Sequence, residues 1–138
     1  MRYLGLDLGT RTLGVAISDK NLIIATPYKT IRHDNDLDYL ILELEKIIKE
    51  EEISKIILGY PKNMNNTIGE KAIICNNFKD LIENKLNIKV ILQDERLSTI
   101  EAEKVLINNK NRRDKRKKVI DSVAASIILN TYLERSKL

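Results

Sequence analysis

Cysteine and histidine are nearly absent from this chain of 138 residues: Cys75 and His33 are the only ones. A single cysteine excludes an internal disulfide and any cysteine-built zinc site, and it suits a reducing compartment, here the cytoplasm. Cys75 itself reads as a small buried hydrophobe. His33 lies in the polar connection IRHDND and is expected to be exposed and idle. One histidine so placed argues against Ser-His-Asp or Cys-His machinery. Tryptophan is missing and aromatics make up only 4%, so stacking on unpaired bases is not a theme of this sequence. No apolar run approaches the ~20 residues of a membrane span. Nor does the start of the chain carry the basic region and apolar core of a secretion signal. No linker, repeat or low-complexity stretch divides it, other than one basic run. One domain over residues 1–138, large enough for a sizeable core, is therefore expected.

What is present begins with 43% hydrophobic residues, too many for a disordered chain. The stretch Met1–Asp19, MRYLGLDLGTRTLGVAISD, organises the rest. Two apolar runs joined by a glycine-bearing turn predict a β-hairpin. Asp7 interrupts the first run, and a carboxylate there costs several kcal/mol to desolvate unless something compensates it. Ile23–Ile31 reads as a third strand, with Pro27 assigning it to an edge or a bulge. Leu37, Leu40, Ile41, Leu44, Ile47 and Ile48 repeat at helical spacing. Lys55–Gly59 suits a strand buried on both faces. Thr67 and Glu70 form a capping box for a second helix. Ile88–Leu92 is a further strand, followed by QDER. Ser98 and Glu101 cap another helix, and a last one runs from about Val119 to Leu133. The order β-β-β-α-β-α-β-α-α predicts an α/β fold, a mixed sheet covered by helices.

The formal net charge is +4, and its distribution says more than its size. Residues 110–118, KNRRDKRKK, hold seven basic residues and one acid, a local +6 that leaves −2 for the remainder. Basic side chains at the start of a helix oppose its macrodipole, so a role beyond stability is expected. Such a run neutralises nucleic-acid phosphates and releases their counterions. Four acids stand where apolar structure converges: Asp7 in the first strand, Asp94 and Glu95 after the last strand, and Asp121 early in the last helix. Carboxylates of this kind suit Mg²⁺ or Mn²⁺, hard cations that take oxygen ligands and keep several waters.

Four segments carry a family resemblance: LGLDLGTRTLGVAIS, LGYPKNMNNTIGEKA, QDERLSTIEAEKVL and KVIDSVAASIIL. In this order, over nearly the whole chain, they resemble the YqgF/RuvX family of ribonuclease H-like proteins, described as Holliday junction resolvases and as pre-16S rRNA processing nucleases. Tyr60 stands where the family usually has leucine. The resemblance implies a five-stranded ribonuclease H-like sheet, strands 1–3 antiparallel and 4–5 added in parallel, flanked by helices. It further implies a metal-dependent nuclease with Asp7, an acid of the DER element and Asp121 as catalytic ligands of Mg²⁺ or Mn²⁺. Alternate side chains of an extended segment face opposite ways, so one of Asp94 and Glu95 is expected to point at the metal. Both stand as candidate ligands, Glu95 the first choice, with Asp94 then supporting the turn or Arg96. Arg11, Lys62, Arg96, Arg112, Arg113, Lys115, Arg116, Lys117 and Lys118 are the expected nucleic-acid contacts. Structured RNA is the first substrate expected and branched DNA the second, for a monomer or weak homodimer. Two other readings remain open. DLGTRTLGVA also resembles the phosphate-binding hairpin of actin-like ATPases, though these need two lobes and 138 residues supply one. A non-catalytic RNA-binding or assembly factor on the same fold is the other, because fold alone does not settle function.

Overall fold

The computed structural model describes residues 1–9, 11–60, 70–94 and 113–135; the side chains of residues 70, 71, 94 and 113–121 are outside that description. Strand β1 (Arg2–Leu8) pairs antiparallel with β2 (Thr12–Ser18), and β2 pairs antiparallel with β3 (Ala25–Arg32). Helix α1 (Leu37–Glu51) leads into β4 (Ile53–Tyr60), which lies parallel to β1. Helix α2 (Glu70–Leu86) leads into β5 (Val90–Asp94), parallel to β4. The sheet order is β3-β2-β1-β4-β5, and α3 (Arg113–Arg135) covers its second face. This is the mixed sheet the resemblance implies.

Strand alternation divides the core in two. Leu4, Leu6, Leu8, Leu13, Val15, Ile56, Leu58 and Val90 meet the apolar stripe of α1 (Leu40, Leu44, Ile47) and Cys75, Phe78 and Ile82 of α2. The other parity, with Tyr3, Ile57 and Ile91, meets Ile128, Leu129 and Leu133 of α3. Asp7 shares that second parity with Tyr3 and Gly5, which puts it on the α3 side of the sheet.

The third strand begins at Ala25 rather than Ile23. The Asp19 carboxylate accepts backbone N–H bonds from Asn21, Ile23 and Ile24. A turn gathered on a side chain in this way competes with the sheet ladder, so Ile23 and Ile24 stay exposed. Pro27 has both roles expected of it. β3 is an edge strand, and the register slips there, Ala16 opposing Pro27 while Val15 opposes Lys29. The last helix begins at Arg113, six residues before the expected start. Arg and Lys are good helix formers, and each added residue gains a backbone bond once the helix is nucleated. The last strand runs Val90–Asp94, two residues later than expected at each end. Thr67 of the first capping box and the helix expected after Ser98 lie outside the described residues.

His33 is buried, not exposed. Its backbone N–H donates to the Arg11 carbonyl at 2.9 Å, and its ring nitrogens bond Gly9 and Asn35. Two of its bonds are made with the backbone N–H groups of its sequence neighbours Asn35 and Asp36, and two with the carbonyls of the distant Gly9 and Arg11. Asp34 and Asn35 both have positive φ, and Asp36 N–H returns to the His33 carbonyl at 2.8 Å. These are the marks of a type I′ turn, which Asp and Asn tolerate. Asp36 then caps α1 by accepting the Tyr39 N–H.

Candidate functional site

Gly5 decides where the last helix crosses the sheet. A Cβ at this position would stand 2.8 Å from the Ala125 carbonyl oxygen and 2.8 Å from Leu129 Cβ. Only a hydrogen lets helix and strand come this close. Ala124 and Ala125, both buried, are small enough to permit this close approach. Further along, the Tyr3 and Tyr132 rings lie 6.1 Å apart. Asn130 clamps β3 through both Ala25 backbone groups, at 2.7 and 3.1 Å. Helix α3 therefore runs antiparallel to β1. Asp7 lies two residues beyond Gly5, about 7 Å along the strand. Asp121 lies one helical turn before Ala125, about 6 Å back along the axis. From a shared crossing point, both positions lead toward the same end of the sheet.

Asp7 is 9% exposed and sits directly opposite Gly14 of β2. Ala16, the next residue of that parity, opposes Gly5. Small residues thus flank the acid on the side that α3 crosses. On β5, Gln93 shares the parity of Ile91 and pairs in register with Gly59. Gln93 is buried, and its Nε2 has no hydrogen-bond partner among the described residues. Gln93 thus places a buried side-chain amide on the same face of the sheet as Asp7. No sequence signal pointed to Gln93, since a glutamine beside two acids reads as solvated surface.

The remaining expected residues divide by position. Arg11 is exposed in the turn between β1 and β2. Asp94 ends β5, its backbone in register with Tyr60. Arg113, Lys115, Arg116, Lys117 and Lys118 form the first turns of α3, ahead of Asp121 on the same helix. Lys62, Glu95, Arg96 and Arg112 lie outside the described residues. No group of three or more His, Cys, Asp or Glu able to hold a metal occurs among the described residues, where Asp7 is the one expected ligand with a described side chain. The soft and nitrogen donors are committed elsewhere. Cys75 is on the α1/α2 side, its Sγ 3.7 Å from the Gly59 carbonyl, and His33 is bonded as above. A buried carboxylate, an amide and no thiolate or imidazole suit a hard, oxygen-ligated cation such as Mg²⁺ or Mn²⁺.

A mixed five-stranded sheet, with a buried aspartate near the end of its first strand where the last helix crosses, is the framework of ribonuclease H-like nucleases. The family model described as "RuvX: Holliday junction resolvase" matches residues 1–135, and the chain belongs to this family. With that membership it stands among the nucleases, hydrolases acting on ester bonds. A relative from Aster yellows witches'-broom phytoplasma is 53% identical over 98% of this chain and 90% of its own. One from Bacillus subtilis is 48% identical over 97% of this chain and 98% of its own. Both bear the name "Putative pre-16S rRNA nuclease". Among solved structures, Thermus thermophilus RuvC in complex with a Holliday junction substrate superposes with a TM-score of 0.62, over 99% of this chain and 96% of that one, at 10% identity. The fowlpox virus Holliday junction resolvase gives 0.53 at 19% identity, over 98% and 99%. These two likenesses show the shared fold.

Proposed function

We propose that this nuclease is a divalent-metal-dependent endonuclease that processes precursor 16S rRNA at its 5′ end, acting in the cytoplasm as one domain over residues 1–138. The observation that carries the reading is the buried Asp7, flanked by glycine and crossed by α3 so that Asp121 leads to the same end of the sheet. The substrate comes from the shared name of the relatives. Asp7, Glu95 and Asp121 would hold Mg²⁺ or Mn²⁺. Glu95 is taken ahead of Asp94: were the chain to continue extended past Asp94, residue 95 would share the face of Gln93 and Asp7. A bound divalent ion lowers the pKa of a coordinated water and offsets charge on the leaving oxygen. The chain's own residues supply the rest. Arg11, Lys62 and Arg96 contact phosphates near the break. Arg112, Arg113, Lys115, Arg116, Lys117 and Lys118 hold the flanking backbone. His33 and Cys75, bonded in the fold, leave water as the attacking group.

The test uses purified protein with structured precursor RNA, single-stranded RNA and four-way DNA junctions, each with and without Mn²⁺ or Mg²⁺. Metal-dependent cutting of the structured RNA is expected. Preference for the four-way junction would move the activity to branched DNA, as the family's description has it. Asp7→Asn and Asp121→Asn keep shape and remove charge, so each should keep the fold and RNA affinity and lose cleavage by at least about a thousandfold, some 4 kcal/mol in the barrier. If both variants, folded by circular dichroism, cut like the unmodified protein, the catalytic assignment is wrong. Binding with no cutting under any metal would leave an RNA-binding assembly factor.

A further inference from the structure

The sole histidine uses every polar group it has to join two turns. Its backbone N–H donates to Arg11 O at 2.9 Å, and its carbonyl accepts the Asp36 N–H at 2.8 Å. Its Nδ1 lies 2.9 Å from the Asn35 nitrogen, and its Nε2 lies 3.1 Å from Gly9 O. A backbone N–H can only donate and a carbonyl can only accept. Nδ1 must therefore be bare and Nε2 must carry the proton, a neutral imidazole in one tautomer. On one side stand Gly9 and Arg11, in the turn that closes β1 onto β2, where Gly9 N–H also bonds Thr12 O at 2.8 Å. On the other side stands the type I′ turn that starts α1, with Asp34 and Asn35 at φ 45° and 69°. Both residues sit in a region that disfavours side chains, and the Nδ1 and backbone bonds hold them there. A buried group with all four bonds made is rigid. Gly9 is two residues from Asp7, and Arg11 is the exposed cation of the same turn.

We propose that His33 is a positioning residue of the nuclease: it fixes the turn between β1 and β2 so that Arg11 meets a substrate phosphate in a set relation to Asp7. The inference rests on the nuclease reading above. Leucine at this position would leave the backbone bonds to Arg11 O in place but release Gly9 O and the Asn35 N–H, so the part of the turn between Asp7 and Arg11 would lose its side-chain tie. Misplacing a phosphate contact by about 1 Å costs on the order of a hundredfold in rate.

The experiment has two arms. First, ¹⁵N NMR of the only histidine at neutral pH should report a protonated Nε2 and a bare Nδ1. The opposite tautomer, or an averaged free imidazole, would overturn the proposal however the variants fold. Second, cleavage of structured RNA in Mn²⁺ is compared for His33→Leu, Arg11→Ala and the double variant. His33→Leu alone should slow cleavage at saturating RNA at least tenfold. In the Arg11→Ala background it should cost less than twofold, because the group being positioned is gone. Equal losses in both backgrounds would mean that His33 acts through general stability alone, and would overturn the proposal. His33→Gln keeps an N–H within reach of Gly9 O and should restore most of the rate; should the leucine variant not fold, the same cycle run with His33→Gln and His33→Asn decides, the donor-keeping glutamine being the faster. If the unmodified protein cuts nothing, the nuclease reading fails, while the tautomer and the same cycle measured as RNA affinity still read the positioning.

Discussion

At Gly5 a single hydrogen atom sets the distance between the central strand and the last helix. Gly5→Ala would push a methyl group into Ala125 O and Leu129 Cβ, both at 2.8 Å. One of these neighbours is helix backbone, which cannot turn aside as a side chain does. Overpacking of this kind costs about 1–3 kcal/mol, so thermal unfolding should shift down by several degrees. Cleavage should fall further than the stability loss explains, because Asp121 rides on the displaced helix. A variant that unfolds and cuts like the unmodified protein would show that the crossing has slack. Lys55 illustrates the same economy on this face. Its Nζ lies 4.9 Å from the Tyr3 ring centre, 5.6 Å from that of Tyr132, and 3.2 Å from the Tyr132 hydroxyl. Burial presses its pKa down, yet the hydroxyl bond and the two tyrosines carry it above the ordinary value.

Among the elements, α2 and β5 are tied by one carboxylate. Glu83 accepts from Lys79 Nζ at 2.9 Å and from the Val90 N–H at 3.1 Å. The Lys79 bond and then the Val90 bond hold its pKa below the ordinary 4.5. Asp19 is lowered from 3.8 by the Ile24 N–H first and then by those of Ile23 and Asn21. A carboxyl whose pKa is lower folded than unfolded stabilises the fold above the unfolded value, and that contribution disappears as pH falls through the folded value. Urea midpoints should therefore hold from neutral pH down to about pH 5 and drop below it. Glu83→Gln should lower the midpoint at pH 7 and flatten the part of the acid slope that starts near 4.5. An unchanged slope would mean that the β5 entry is held by its strand pairing alone. Lys79 and Glu83 are both partly open to water, so the effect should be modest and weaken with salt.

For the whole molecule, charge asymmetry is the governing feature: +6 in nine residues against −2 in all the others. The described part of that run opens α3, which also carries Asp121 and crosses the sheet near Asp7. On the proposed reading, substrate grip and chemistry would be coupled through this one helix. Changing Arg113, Lys115 and Lys117 to glutamine should weaken binding to many RNA sequences alike. It should also reduce the slope of log affinity against log salt by roughly one unit for each phosphate no longer neutralised. The fold should survive, since glutamine is a good helix former. If the slope stays where it was, the run is a solvated surface and another part of the protein binds the backbone.

Much of this architecture was legible in the chain because it rests on local pattern. Alternation around Asp7, the heptad-like stripe from Leu37 to Ile48, and Pro27 at an edge each follow from the geometry of one strand or one helix. The acid, the basic run and the four family-like segments were likewise visible as residue types in order. What tertiary structure decided concerns contacts between residues far apart in sequence. Gly5 acquires its meaning from Ala125 and Leu129, 120 or more positions away. His33 looked exposed because its neighbours in sequence are polar, and it is buried because Gly9 and Arg11 fold back over it. Gln93, a polar residue beside two acids in sequence, is buried in the packed molecule, its backbone in register with Gly59. The start of β3 moved because a side chain, Asp19, outcompeted the ladder for three backbone N–H groups. Periodicity reports which face a residue occupies; only the packed molecule decides what stands opposite that face, and the chemistry of the site depends on that.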